Sequence, residues 1–266
     1  MTAWSLEEAR RVVPRPAATV LILRDGARGP EVLMVRRSPN AKFMPNAYVF
    51  PGGAVDRDDA AVASDESEEA LRARLSRAFT LGGQERAFAI AALRESLEEC
   101  GLWLGVDAPG VDLVALRRSL FDGETIRGIA DRAGLPLVTS GLAPWSRWVT
   151  PFGRLRRFDT VFFVSRAPAG QVPEVDAQET TTLEWVEPAA ALRACEAGSF
   201  QMEFATRAIV RSLLPFAGGN VQACVDHGHG LTEIGVVCPR LRLDEQGNTL
   251  GILMPGESGY EELPEG

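Results

Sequence analysis

Hydrophobic and polar positions change along the chain in blocks that predict strands and helices in turn. Residues 19–23 and 32–35 are β-branched and aliphatic, and the linking segment DGARGPE is rich in turn-forming residues, a combination typical of a β-hairpin. Three further short strands are predicted, at residues 48–50, 157–164 and 181–186. Because these strands alternate with helical patterns, the chain is expected to form an α/β sandwich.

The strongest helical pattern covers residues 85–100. At about 100° per residue, its apolar side chains form a single stripe, made of Ala89, Leu93, Leu97 and Cys100. Glu95, Glu98 and Glu99 fall on a compact acidic face turned away from that stripe. Gly101 is a suitable residue to end the helix. This helix is therefore predicted to be amphipathic, with its glutamates away from the core.

The remaining patterns are weaker. Residues 54–83 begin acidic and continue as a predicted helix, which we expect to be a surface-lying hairpin of loop and helix. Residues 113–133 predict one or two short helices, and residues 200–214 predict a helix that closes the fold. From Asn220 onward we expect short strands and turns packed on the domain, with His227 and His229 in a polar turn rather than a metal pair.

Composition restricts the classes of function. The chain has 266 residues, 45% of them hydrophobic, and a net charge of −8, which disfavours binding of nucleic acid through a basic surface. No apolar run reaches the roughly 18 residues of a membrane span. The N-terminal residues lack the apolar core of a signal peptide, and four widely spaced cysteines form no zinc motif. We therefore expect a cytoplasmic protein with free thiols.

The acidic face of the predicted helix has two interpretations. Glu95 and Glu99 form a like-charged i, i+4 pair, which costs roughly 0.2–0.5 kcal/mol on an open surface. A hard divalent cation such as magnesium or manganese would remove this repulsion, since such ions prefer carboxylate oxygens. The alternative is a solvated helix face without chemistry.

A longer motif favours the first interpretation. Residues 94–102 (RESLEECGL) resemble the second half of the Nudix box, R-E-U-x-E-E-x-G-U, and residues 50–53 (FPGG) resemble its entry. Ser96 departs from the pattern. Gly53 and Arg94 lie 41 positions apart where the family has 14, so about 27 residues are inserted. Arg86 stands eight positions before Arg94, where a glutamate is expected; whether neighbouring Glu85 replaces that glutamate is left open.

An interrupted box of this kind is similar to that of the peroxisomal coenzyme A and acyl-CoA diphosphatase branch. The segments that carry this likeness include residues 37–38, 45, 48–53, 148–151 and 157–160, and the likeness covers roughly residues 17–215. It implies a Nudix-type α/β/α sandwich with a mixed sheet, an inserted helical segment and a C-terminal extension. We expect a Nudix domain over residues 1–216, with an insertion at about 54–83, and an extension over 217–266.

The resemblance also implies a reaction and its residues. Glu95, Glu98 and Glu99 would bind Mg²⁺ or Mn²⁺, Arg94 would orient a ligand glutamate, and a diphosphate linkage would be hydrolysed. Glu98 or a loop carboxylate would be the general base. The loop candidate is Glu179, and its rivals are Glu174 and Glu184.

The predicted substrate is coenzyme A or an acyl-CoA. The alternatives are ADP-ribose or another nucleotide sugar or dinucleotide, a nucleoside triphosphate, and a ligand-binding module without activity. Arg36 and Arg37 suit phosphate contacts by charge and geometry, and Gly52 and Gly53 are predicted to lie at the substrate. Nudix proteins are frequently homodimers, and the residue spacing does not decide the oligomeric state.

Overall fold

The computed structural model describes residues 12–40, 44–154, 156–175, 180–244 and 249–264. These residues form ten strands: β1 (Arg15–Gly26), β2 (Gly29–Arg37), β3 (Tyr48–Val49), β4 (Gly52–Ala54), β5 (Ala143–Val149), β6 (Phe158–Arg166), β7 (Thr180–Val186), β8 (Val236–Val237), β9 (Arg240–Leu243) and β10 (Thr249–Leu253). They also form seven α-helices: α1 (Glu68–Ser76), α2 (Glu85–Cys100), α3 (Leu113–Phe121), α4 (Ile126–Ala133), α5 (Pro188–Glu196), α6 (Phe204–Ser212) and α7 (Val221–Gly230). Two 3-10 helices, Arg57–Ala61 and Leu214–Phe216, complete the set.

An eight-stranded mixed sheet forms the centre of the fold. Its main path runs β3-β2-β1-β6-β5-β8, with β4 paired to β1 and β7 paired to β2. The β1–β6 and β5–β8 pairs are parallel, whereas the other pairs are antiparallel. Strands β9 and β10 form a separate two-stranded sheet. The predicted hairpin of β1 and β2 is confirmed.

Helices cover both faces of the sheet and enclose two hydrophobic cores. Side chains of β1 alternate between them, because successive residues of a strand point to opposite faces: Val20 and Ile22 belong to one core, Leu21 and Leu23 to the other. Helices α1 to α4 pack in the first core, and α5 to α7 pack in the second. The predicted α/β/α sandwich with a mixed sheet is confirmed. None of the described helices has the length and apolar character that crossing a membrane would need.

The prediction of a surface-lying segment before α2 is wrong. Leu71 and Leu75 of α1, together with Phe79 just beyond it, are buried in the first core. The Phe79 ring meets the ring of Phe163 on β6 edge-on, with 6.1 Å between ring centroids. The helix itself was predicted correctly, but its apolar side covers part of the central sheet instead of lying on the surface.

The prediction of strands and turns after Asn220 is wrong over α7. The Asn220 side chain accepts a hydrogen bond from the N–H of Ala223 and begins the helix, while Cys224 is fully buried in the second core. A Cβ on Gly228 would lie 2.7 Å from the carbonyl oxygen of Pro144. The glycine therefore allows α7 to pack closely on β5. His227 and His229 lie in the last turn of this helix.

Helix α2 is buried on almost every side, since 14 of its 16 residues are buried. The expectation that its glutamates turn away from the buried side is wrong for Glu95 and Glu99, each 9% exposed. Strand β4 and the first 3-10 helix cover that side of the helix. Only the middle glutamate of the three, Glu98, keeps a substantially exposed side chain, at 38%.

Candidate active site

Strand β4 lies directly against the acidic side of α2, and its glycines allow this approach. The backbone N–H of Gly52 donates a 3.0 Å hydrogen bond to Oε2 of Glu99. A Cβ on Gly52 would lie 2.5 Å from the carbonyl oxygen of Ala18, and one on Gly53 would lie 2.5 Å from Oε1 of Glu95. The two glycines therefore bring the backbone close to β1 on one side and to the glutamates on the other.

The buried guanidinium of Arg94 connects the parts of this site. Its Nη1 donates to Oε1 of Glu95 at 2.7 Å and to Oε2 of Glu98 at 3.3 Å. Its Nη2 donates to the carbonyl oxygen of Ala54 on β4 at 2.8 Å. Nε and Nη2 each lie 3.2 Å from a carboxylate oxygen of Asp59. One side chain thus holds two glutamates of α2 in a set position relative to β4 and the 3-10 helix.

Negative charge exceeds positive charge in this cluster. Burial raises the pKa of Glu95 to about 7, against the lowering effect of Arg94, and the neighbouring Glu98 raises it further. Burial also raises the pKa of Asp59, again opposed by Arg94. Burial and neighbouring like charges disfavour the ionised carboxylates of this site. Binding of a cation there would therefore be favourable.

The donor chemistry of these glutamates fits a hard divalent cation. Among the residues that the structure describes, no three or more histidine, cysteine or acidic side chains are already gathered around a metal position. Arg94 bonds to Glu95 and Glu98, and Glu99 accepts from Gly52. Mg²⁺ nevertheless needs only one or two protein carboxylates, because waters and substrate phosphates supply its other oxygen ligands.

The acid that pairs with Arg94 was missed in the sequence. Glu85, the open candidate, is buried at the first residue of α2, where it accepts a 3.1 Å hydrogen bond from the Ser76 hydroxyl. It precedes Glu95 by ten residues, or about 15 Å along a helix, so it is remote from the cluster. In the family spacing the expected glutamate lies eight positions before the arginine and therefore six positions after the motif glycine. Counted forward from Gly53, that position is Asp59. The structure therefore places the added residues between Asp59 and Arg94.

The predicted substrate arginines are not both near the glutamates. The guanidinium of Arg36 lies 5.9 Å from the centroid of the Tyr48 ring, and its Nη2 donates to Oδ1 of Asn46 at 3.4 Å. Tyr48 belongs to the second core, whereas α2 packs in the first. Arg37 ends β2, and its backbone N–H donates to the carbonyl oxygen of Ala47. The structure therefore does not bring Arg36 to the acidic cluster.

Three loop or strand acids were considered as a general base. Glu179 lies outside the described residues. Glu184 accepts a 2.5 Å hydrogen bond from the Tyr48 hydroxyl, beside Arg36. The backbone of Glu174 is attached to the end of α2, where its N–H donates to the carbonyl oxygen of Cys100 at 2.9 Å. Of the two described rivals, Glu174 is the one that the fold attaches to the glutamate-bearing helix.

An open cleft of about 420 Å³ borders the cluster. Its lining includes Arg94, Glu98 and Asp59 on one side and Leu120 and Glu124 on the other. Glu98 is the helix glutamate that reaches this cleft. A phosphorylated ligand in the cleft would therefore meet Glu98 first.

Introducing a methyl group at Gly53 is expected to displace the Glu95 carboxylate. If Glu95 takes part in catalysis, Gly53→Ala should lower turnover by on the order of tenfold or more, since misplacing a catalytic group by about 1 Å can cost 10²-fold. The matched control is Gly251→Ala, where an added Cβ meets nothing within 4 Å. Steady-state kinetics of both variants test this expectation. Equal activities would show that Glu95 moves aside without consequence.

Comparison with solved structures defines the class of this protein. A NUDIX hydrolase from Alicyclobacillus acidocaldarius superposes with a TM-score of 0.65 and 25% sequence identity, over 85% of this chain and 99% of the other. The family model described as NUDIX domain matches residues 13–204. The chain therefore belongs to the Nudix family. Nudix hydrolases generally use divalent metal ions.

Two relatives show how far the sequence likeness extends. A protein named putative nudix hydrolase 7, from Caenorhabditis elegans, is 27% identical over 194 residues, which are 71% of this chain and 56% of the relative. The acyl-coenzyme A diphosphatase NUDT19 of Gallus gallus is 30% identical over 243 residues, with coverage of 67% and 62%. The chain thus matches less than two thirds of the length of these relatives.

Proposed function

We propose that this protein is a metal-dependent diphosphatase that hydrolyses the diphosphate linkage of coenzyme A or an acyl-CoA. The observation that carries the proposal is that Arg94 holds Glu95 and Glu98 beside an open cleft, while Glu99 of the same helix accepts from Gly52 on β4. Similarity to proteins named acyl-coenzyme A diphosphatase supports the choice of substrate.

In this proposal Glu95, Glu98 and Glu99 would hold Mg²⁺ or Mn²⁺. Such an ion would neutralise charge on the diphosphate and lower the pKa of a water molecule. Glu98, exposed at the cleft, accepts the proton of the attacking water. The water oxygen bonds to one phosphorus as the bridging phosphorus–oxygen bond breaks, which yields an adenosine bisphosphate and a phosphopantetheine fragment.

The other residues of the site act by positioning. Arg94 holds Glu95 and Glu98 through its two Nη1 contacts, and the N–H of Gly52 orients Glu99. Glu179 stays a predicted alternative base. Because Arg36 faces Tyr48 and Asn46, a phosphate contact from it would involve a part of the substrate remote from the diphosphate.

A substrate panel tests the proposal directly. The protein is incubated with coenzyme A, ADP-ribose and diadenosine tetraphosphate, each with Mg²⁺, with Mn²⁺ and with EDTA, and the products are separated by chromatography. We expect metal-dependent cleavage of coenzyme A into two phosphate-ended products. Preferred cleavage of ADP-ribose or the dinucleotide would replace the proposed substrate. Absence of turnover across the panel, in folded protein, would reject the diphosphatase.

The cellular compartment and the oligomeric state belong to the same proposal. Cys195, Cys224 and Cys238 are free thiols, which supports a reducing compartment such as the cytoplasm. The homodimer stays a prediction, and sedimentation velocity over a range of protein concentrations would test it.

A further inference from the structure

A second cavity, of about 550 Å³, lies at the C-terminal end of α2. One wall is a face of α3, and the other walls are formed by residues 107–112 and 169–175. We call this cavity the α3 groove. Its volume falls within the roughly 300–1,000 Å³ typical of small-molecule sites.

The α3 groove concentrates the exposed apolar surface of the protein. In the described parts of the chain, seven large hydrophobic side chains are exposed. Four of them line this groove, with exposures from 37% to 75%: Val114, Phe121, Val172 and Val175. Apolar side chains that cluster in one concave place mark a binding surface, whereas scattered ones need no explanation. An apolar group would suit these four side chains, which share the groove with polar ones such as Asp112, Arg118 and Gln171.

Buried Arg117 connects the α3 groove to the acidic cluster. It lines the groove, and its Nε donates to the carbonyl oxygen of Glu98 at 2.7 Å. Its Nη1 donates to the carbonyl oxygen of Glu174 at 2.8 Å, while the N–H of Glu174 donates to Cys100. The groove is thus attached to the turn of α2 that carries Glu98. Helix α3 separates the groove from the cleft, since Phe121 lines the groove and Leu120 lines the cleft.

On the basis of the proposed function, we propose that the α3 groove receives the acyl chain of an acyl-CoA whose diphosphate lies at the glutamates. The acyl group is the apolar end of that substrate, and Arg117 links the groove to the turn that carries Glu98, on the other side of α3 from the cleft. Each methylene that is fully buried raises affinity by about fourfold. Because the groove is open on one side, we expect a smaller gain per methylene, and affinity should rise steadily with chain length.

Binding of a chain-length series tests this inference. The dissociation constants of coenzyme A, acetyl-CoA, octanoyl-CoA and dodecanoyl-CoA are measured by calorimetry with Mg²⁺, using Glu98→Gln to prevent turnover. Dodecanoyl-CoA should bind on the order of tenfold more tightly than acetyl-CoA. Adding Val114→Asp to this background should reduce that ratio to near one. The matched control is Leu250→Asp, since Val114 and Leu250 are 60% and 65% exposed and only Val114 lines the groove.

The outcomes separate this inference from the proposed function. Affinities independent of chain length, or equal ratios in the two aspartate variants, would overturn the acyl site even if the wild-type protein hydrolyses coenzyme A. A ratio that collapses only in Val114→Asp would support the acyl site, even if no CoA species is hydrolysed and the diphosphatase is rejected. If Val114→Asp abolishes self-association and leaves the ratio unchanged, the groove is an interface between copies and the acyl site is wrong.

Discussion

Replacing Glu98 with glutamine is expected to lower kcat for coenzyme A hydrolysis by about 10²–10⁴-fold. In the proposed function this carboxylate binds the metal and accepts a proton, so its loss would remove several kcal/mol of transition-state stabilisation, at about 1.4 kcal/mol per tenfold. Glutamine keeps the size of the side chain and an oxygen that can accept a hydrogen bond from Arg94. In the wild-type protein Nη1 of Arg94 lies 3.3 Å from Oε2 of Glu98. The melting temperature should therefore stay close to that of the wild-type protein.

The matched control for this variant is Glu124→Gln. Glu124 lines the same cleft, but its carboxylate pairs with the Arg132 guanidinium at 2.7 Å. Its replacement should change kcat by less than about twofold, in keeping with the small contribution of exposed ion pairs. If Glu98→Gln keeps wild-type activity, or if kcat falls equally in both variants, the assignment of Glu98 as the reacting carboxylate is wrong.

Replacing Asp59 with alanine is expected to destabilise the protein by about 1.5–3 kcal/mol, the usual contribution of hydrogen bonds to a charged group, because the buried Arg94 loses Asp59 but keeps Glu95 and Glu98. Asp59 is 2% exposed and contacts Arg94 through both carboxylate oxygens. It also accepts a hydrogen bond from the N–H of Asp56 at 2.8 Å. Since Arg94 also positions Glu95 and Glu98, activity should fall under conditions in which the variant is still folded.

Chemical denaturation followed by circular dichroism measures this effect, with Asp58→Ala as the control. Asp58 is the preceding residue and is exposed, so its loss should change the free energy of unfolding by less than about 0.5 kcal/mol. Asp59→Asn keeps an oxygen acceptor for Arg94 and should be intermediate. A stability change no larger than that of Asp58→Ala would contradict the role given to the Asp59–Arg94 pair.

Local sequence determined the position and the chemistry of the acidic helix. Periodicity over residues 85–100 predicted α2 with its boundaries, and Gly101 ends it in a left-handed conformation with φ of 66°. The order of arginine and glutamates in residues 94–102 predicted four residues of the candidate site, Arg94, Glu95, Glu98 and Glu99, without a structure. Both signals depend on neighbours within a few positions in the chain, where helical spacing and capping are decided.

Predictions from local sequence were wrong where burial depends on segments that are distant in the chain. The acidic face of α2 has the pattern of a solvated surface, yet β4 and the first 3-10 helix cover Glu95 and Glu99. The glycine in α7 is a second case. Its close contact with Pro144 exists only when the helix is packed on β5, so local sequence does not show why a glycine stands in a helix there.

The partner of Arg94 shows the same division between sequence and tertiary structure. Asp59 and Arg94 lie 35 positions apart in the chain, and the family spacing pointed to Arg86 when it was counted from Arg94. The sequence alone predicted which residues would carry the chemistry. Tertiary structure decided which carboxylates are buried and which one pairs with the arginine, because packing brings together side chains whose distance along the chain carries no information about their contact.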